Sequence, residues 1–110
     1  MPHLRFRAVS VDTLQQISRP LLADLCALTG GKPEFVTLEC VDCIRVRDGE
    51  REVGSPFVEL VWFDRPQELQ DAAAALITRH LKAVLGEQTY VVVQVLPIVK
   101  SHYYSDGQHY

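Results

Sequence analysis

The chain has 110 residues, a formal net charge of −3 from 11 Lys and Arg against 14 Asp and Glu, and a hydrophobic share of 47%. That length makes one domain, residues 1–110, which buries roughly two-thirds of its unfolded surface and leaves little room for a large internal cavity, so a sizeable ligand site is expected between subunits. The basic residues are scattered, which excludes the one-sided positive field of a nucleic-acid binder, and the apolar stretch Tyr90 to Val99 is cut by Gln94 and Pro97 and is too short to span a bilayer.

The first strand starts almost at once. Leu4, Phe6 and Ala8 alternate with Arg5 and Arg7, the period-2 pattern of a strand with one buried face. Pro2 stands at its mouth, and removal of Met1 turns Pro2 into a free secondary amine. No basic-then-apolar leader opens the chain, so a cytoplasmic location is expected. Ser10 or Asp12 can cap the next element, a helix to about Thr29 whose stripe is Leu14, Ile17, Leu21, Leu25 and Leu28. Gly30-Gly31 ends it, and Pro20 predicts a kink within one helix rather than a break into two.

A second strand is expected over about Phe35 to Arg47. It contains Cys40-Val41-Asp42-Cys43, and residues three apart on a strand point to opposite faces, so the pair does not chelate. With Cys26 the cysteine count is odd, which fits reduced, packed thiols. His3, His80, His102 and His109 show no ligand spacing, and neither a metal site nor a cofactor is expected. The polar connector Asp48 to Ser55 reads as the least ordered interior stretch.

A third strand follows at Phe57 to Phe63. Asp64 is the expected cap of a second helix, with Pro66 in its first turn, an apolar stripe of Leu69, Ala73, Leu76, Ile77, Leu81 and Val84, and an end at Gly86. A last strand covers about Thr89 to Val99. The order is βαββαβ. Sliding the chain by the 54 positions that separate Pro2 from Pro56 lays Leu4, Phe6 and Ala8 on Val58, Leu60 and Trp62, so the chain reads as two tandem βαβ units.

Right-handed crossovers then put both helices on one face of a four-stranded mixed sheet, an α+β fold. The covered face takes Leu4, Phe6, Ala8, Val36, Leu38, Cys40, Val58, Leu60, Trp62, Val91, Val93 and Val95. The other face carries Arg5, Arg7, Glu39, Glu59, Val61, Phe63, Tyr90, Val92 and Leu96, too apolar for open water and too charged for a monomer core, so it is expected to meet other subunits. Arg5 and Arg7 are expected to pair with Glu39 and Glu59. The tail from Ser101 to Tyr110 holds three tyrosines and an Asp106-Gly107 turn signal, and is expected to dock.

The Met-Pro start on a strand, the two βαβ units, and the segment Thr29-Gly30-Gly31-Lys32-Pro33-Glu34-Phe35-Val36-Thr37-Leu38 together resemble the tautomerase superfamily and its macrophage migration inhibitory factor-sized members. With Pro2-His3-Leu4-Arg5-Phe6-Arg7-Ala8-Val9, Val61-Trp62-Phe63 and Asp106-Gly107-Gln108-His109, the chain is most similar to an uncharacterised bacterial tautomerase-like family. The resemblance implies a homotrimer with sites between neighbouring subunits and a small-molecule substrate, carboxylated or aromatic. It implies Pro2 as general base for keto-enol tautomerisation, Lys32 and Phe35 at the pocket, Arg5 as a further cation, and Tyr90 reaching over from the next subunit. An asparagine expected two residues beyond that tyrosine is Val92 here. The rival readings are a non-catalytic homo-oligomeric binding protein on the same fold, and a ferredoxin-like regulatory domain with the same element order.

Overall fold

A computed structural model describes Pro2 to Tyr110. Strand β1 (His3–Arg7) leads into helix α1 (Val11–Thr29), which returns through a single 3-10 turn at Pro33–Phe35 to β2 (Thr37–Val41). Strands β3 (Arg45–Arg47) and β4 (Glu50–Glu52) follow, then β5 (Phe57–Phe63), α2 (Gln67–Leu85) and β6 (Val92–Ile98). The tail makes another 3-10 turn at Lys100–His102 and a small ribbon of β7 (Tyr104–Ser105) and β8 (Gln108–His109).

The main sheet has the order β2-β1-β5-β6. Each helix joins directly adjacent parallel strands, β1 to β2 and β5 to β6, while β1 and β5 pair antiparallel at the centre. That arrangement is the tandem βαβ sheet, and it differs from a ferredoxin-like sheet, whose crossover strands are split by a third. Both helices cover the apolar face. Leu4, Phe6, Val58, Leu60 and Trp62 are fully buried against Leu21, Leu25, Ile77 and Leu81, with Leu38, Cys40, Val93 and Val95 packed at the margin.

Local chemistry sets the helix ends. The Ser10 side chain accepts the Thr13 amide at 3.1 Å, and Gly30, in the left-handed region at φ 74°, donates its amide to Cys26 O at 2.8 Å. Helix α1 runs through Pro20, which faces solvent, where the carbonyl that loses its donor can bond water. Asp64 is not the cap of α2. Pro66 is, and its carbonyl accepts from Leu69 and Gln70 at 3.0 and 3.2 Å, because proline's fixed φ already suits the entry to a helix.

The stretch expected as one long strand is two. The chain leaves the sheet after Val41, and Cys43 is exposed outside it rather than packed. The expected loose connector is instead an ordered hairpin. Asp48 and Gly49 both adopt positive φ, 51° and 79°, the two-residue turn that matches strand twist, and Arg45 and Arg47 meet Glu52 at 3.5 and 3.0 Å. Asp106 and Gly107 repeat the device in the tail, at 52° and 85°. These arms lengthen the molecule to 44 Å, with a radius of gyration of 14.8 Å, against about 13 Å for a compact globule of this length.

Ala8 is exposed rather than on the covered face, because the chain turns into the left-handed region there at φ 57° and β1 stops at Arg7. A Cβ is disfavoured there by roughly 1 kcal/mol. An Ala8→Gly protein is expected to unfold at a higher denaturant concentration than the parent by up to about that amount, less the extra backbone freedom of glycine; a lower midpoint rejects this reading.

Candidate active site at the Pro2 end of the sheet

One end of the sheet gathers the starts of β1 and β2 and the ends of β5 and β6. Pro2 is buried there, and its carbonyl accepts the Thr37 amide at 3.1 Å. The tandem repeat is exact enough at the opposite end to reproduce this bond, since buried Pro56 accepts the Val92 amide at 3.1 Å. A proline carbonyl thus fixes the entry to each unit.

Lys32 precedes and Phe35 ends the 3-10 turn that delivers the chain to β2, so both lie at the Pro2 end of the sheet, ahead of the neighbouring strand. Lys32 is exposed and Phe35 is 47% exposed. Arg5 lies further along β1 on the open sheet face, in register with Glu39 and Glu59, but makes no ion pair among the described residues. Glu59 is taken by Arg7 at 2.7 Å. Tyr90 is 72% exposed and sits at the far end, just before Val92, which pairs with Phe57. The run from Val92 to Ile98 separates it from Pro2 by about 20 Å. One protomer therefore places Pro2, Lys32 and Phe35 at the same end of the sheet and Tyr90 at the other.

Two residues at this end were not singled out from the sequence as part of the site. His3 places Nδ1 2.7 Å from Thr37 Oγ1 and Nε2 2.9 Å from Tyr103 Oη, with the Tyr103 ring stacked on it at 5.8 Å. Tyr103 and Tyr110 each pack on Phe63, at 5.5 and 5.3 Å. The tail thus docks on its own sheet. The available signal was parity: His3 shares the face of Arg5 and Arg7, and that face also carries Phe63.

Burial, above all, lowers the His3 pKa below the ordinary 6.5; Glu39 opposes this and Arg5 adds to it. The folded protein then holds fewer protons on His3 than the unfolded chain does between the lowered value and 6.5. Stability is expected to fall as the pH drops through that window. A His3→Gln protein should lack this component, so denaturant midpoints at pH 7.5 and pH 5.5 should lie closer together than in the parent.

Beyond Pro2, a cleft of about 500 Å³ opens at the same end, lined by Phe63, Asp64, Pro97, Ile98, Val99 and Lys100. At the opposite end Cys40 and Cys43 both line a cleft of about 460 Å³ beside Ala8. Among the described residues no group of three or more His, Cys, Asp and Glu is arranged to hold a metal, and no helix is long and apolar enough to cross a membrane.

Comparison with known proteins agrees with this architecture. Residues 1–109 match a family described as a domain of unknown function, DUF1904. A crystal structure of a DUF1904 domain from Sebaldella termitidis ATCC 33386 is 30% identical, with all of both chains covered and a TM-score of 0.91. A protein of unknown function from Vibrio cholerae O1 biovar eltor str. N16961 is 34% identical over 99% of this chain and 87% of that one, with a TM-score of 0.90. A macrophage migration inhibitory factor-like protein from Entamoeba histolytica shares the fold at 12% identity, covering 99% of this chain and 98% of that one with a TM-score of 0.72. No curated protein matches. The chain belongs to the DUF1904 family, and its fold is that of the tautomerase superfamily.

Proposed function

We infer that the protein is a homotrimeric keto-enol tautomerase in which Pro2, freed by removal of Met1, is the general base. The observation that carries this reading is the burial of Pro2 at a sheet end of the tautomerase fold, where its carbonyl accepts the Thr37 amide and the turn holding Lys32 and Phe35 leads into the next strand. A fused 4-OT protein of the same fold, 15% identical with a TM-score of 0.80, is described as an asymmetric trimer, which supports the assembly. In such an assembly the mixed sheet face turns inward, and Tyr90 of one copy approaches Pro2 of the next.

The chemistry follows from the residue types. A secondary amine works as a base only when unprotonated, and both burial and nearby cations disfavour its charged form. The Pro2 nitrogen takes a proton from the carbon beside a ketone and returns it to the other end of the enol system. Lys32 and Arg5 hold a substrate carboxylate, and Tyr90 donates a hydrogen bond to the developing enolate oxygen.

The direct test uses intact mass and a covalent probe. The related protein Pt0534 is described as inactivated by 2-oxo-3-pentynoate. The purified protein is expected to lack Met1 and to take up one equivalent of that compound on Pro2, located by peptide mapping. Retained Met1 sinks the base reading and leaves the second one, a non-catalytic homo-oligomeric binder.

A further inference from the structure

The cleft beside Pro2 has a chemistry of its own. Phe63 and Ile98 are paired neighbours on β5 and β6, and with Pro97 and Val99 they give it an apolar lining. Two charges stand on it, Lys100 and Asp64, and neither forms an ion pair among the described residues. The Lys100 ammonium lies 5.8 Å from the centre of the Phe63 ring, so its packing contact is an aromatic face rather than a carboxylate. Tyr103 of the tail makes a T-shaped contact with the same Phe63 ring, centroids 5.5 Å apart.

Apolar walls with a few placed polar groups are the usual make-up of a small-molecule site. We propose that this cleft binds an aromatic or branched aliphatic monocarboxylate, its apolar body against Phe63 and Ile98 and its carboxylate on Lys100, with Asp64 excluding dianions. A carboxylate gains a charge-assisted bond from Lys100 that the Phe63 ring supplies only weakly. A second carboxylate on the same ligand meets Asp64 and is repelled.

The cleft lies at the same end of the sheet as Pro2, and its binding of a monocarboxylate does not depend on the chemistry proposed above. His3 pairs with Val61, so Phe63 lies just past Pro2 on the adjoining strand, and Ile98 one strand further. Strands are about 4.8 Å apart, which sets Ile98 about 10 Å from Pro2. A ligand held on Lys100 therefore lies on the β6 side of the amine, opposite the β2 side from which Lys32 arrives.

The test uses the full chain in its native assembly and a probe without a ketone, 3-phenylpropionate, so that binding is read independently of proton transfer; failure of the Pro2 reading leaves these affinities where they are. Calorimetry should show saturable binding, weakened about tenfold in Lys100→Met. Benzylmalonate, its dianionic counterpart, should bind more weakly than 3-phenylpropionate to the parent, and Asp64→Asn should narrow that gap. Thermal melting of both variants checks that the fold is retained. Equal affinity in Lys100→Met, a gap unmoved by Asp64→Asn, or no saturable binding by the parent overturns the proposal.

Discussion

A Pro2→Ala protein is expected to lose keto-enol exchange of phenylpyruvate by a factor of about 10²–10⁴, the usual contribution of a positioned general base. Alanine is an informative replacement because it keeps the strand entry intact: its carbonyl can still accept the Thr37 amide, as Pro2 does at 3.1 Å. Like proline, it is small enough to leave Met1 removable. What changes is the base, from a ring-fixed secondary amine to a primary amine of ordinary pKa near 8 that rotates about its Cα. The measurement is the loss of enol absorbance with time, parent against variant at equal concentration. Equal rates in two proteins that both lack Met1 rule out Pro2 as the base.

The second large effect concerns the core at the same end of the sheet. Trp62 is fully buried and Nε1 has no hydrogen-bond partner, a donor stripped of water without compensation. Such an orphan costs about 1–3 kcal/mol. Two substitutions therefore separate. Trp62→Ala removes the largest buried side chain and should lower unfolding free energy by about 3–5 kcal/mol through the cavity it leaves. Trp62→Phe keeps most of the ring volume and removes the orphan donor, so it should be nearly neutral or stabilising. Urea unfolding of the three proteins measures both, and comparable losses in the two variants reject the orphan-donor account.

The sheet was legible because strand parity is strict. Leu4 with Phe6, and Val58 with Leu60 and Trp62, could only share a covered face, and the same counting put Arg5 and Arg7 outside, where Arg7 does pair with Glu59. Strand length was less legible. In the alternation from Thr37 to Arg47 only Asp42, a charge on the apolar parity, marks the place where the chain leaves the sheet, and a ribbon strand beyond it carries the same period as a sheet strand. The hairpin at Asp48-Gly49 was read as a flexible connector although Asp-Gly is the residue pair that a two-residue turn with positive φ requires.

The site was legible in part for a related reason. Pro2, Lys32 and Phe35 lie close to the ends of strands that the repeat pattern already placed side by side. Tyr103 and Lys100 are brought there by a tail whose path depends on a 3-10 turn and a second Asp-Gly ribbon, and no periodicity encodes where a tail folds back onto His3 and Phe63. The Cys40 and Cys43 pair failed for the opposite reason, since the strand assumed to hold both ends between them.

The matching bonds from Thr37 to Pro2 and from Val92 to Pro56 make the two ends of the sheet near equivalents in backbone, yet only one proline can ever present an amine, because the other is held in a peptide bond on both sides. On the chemistry proposed for Pro2, reactivity is then a property of where the polypeptide is opened. A circular permutant with its natural ends joined and its new start at Pro56 would carry the same sheet and the same core, and would move the amine to the end that holds Arg7, Ala8 and Cys43.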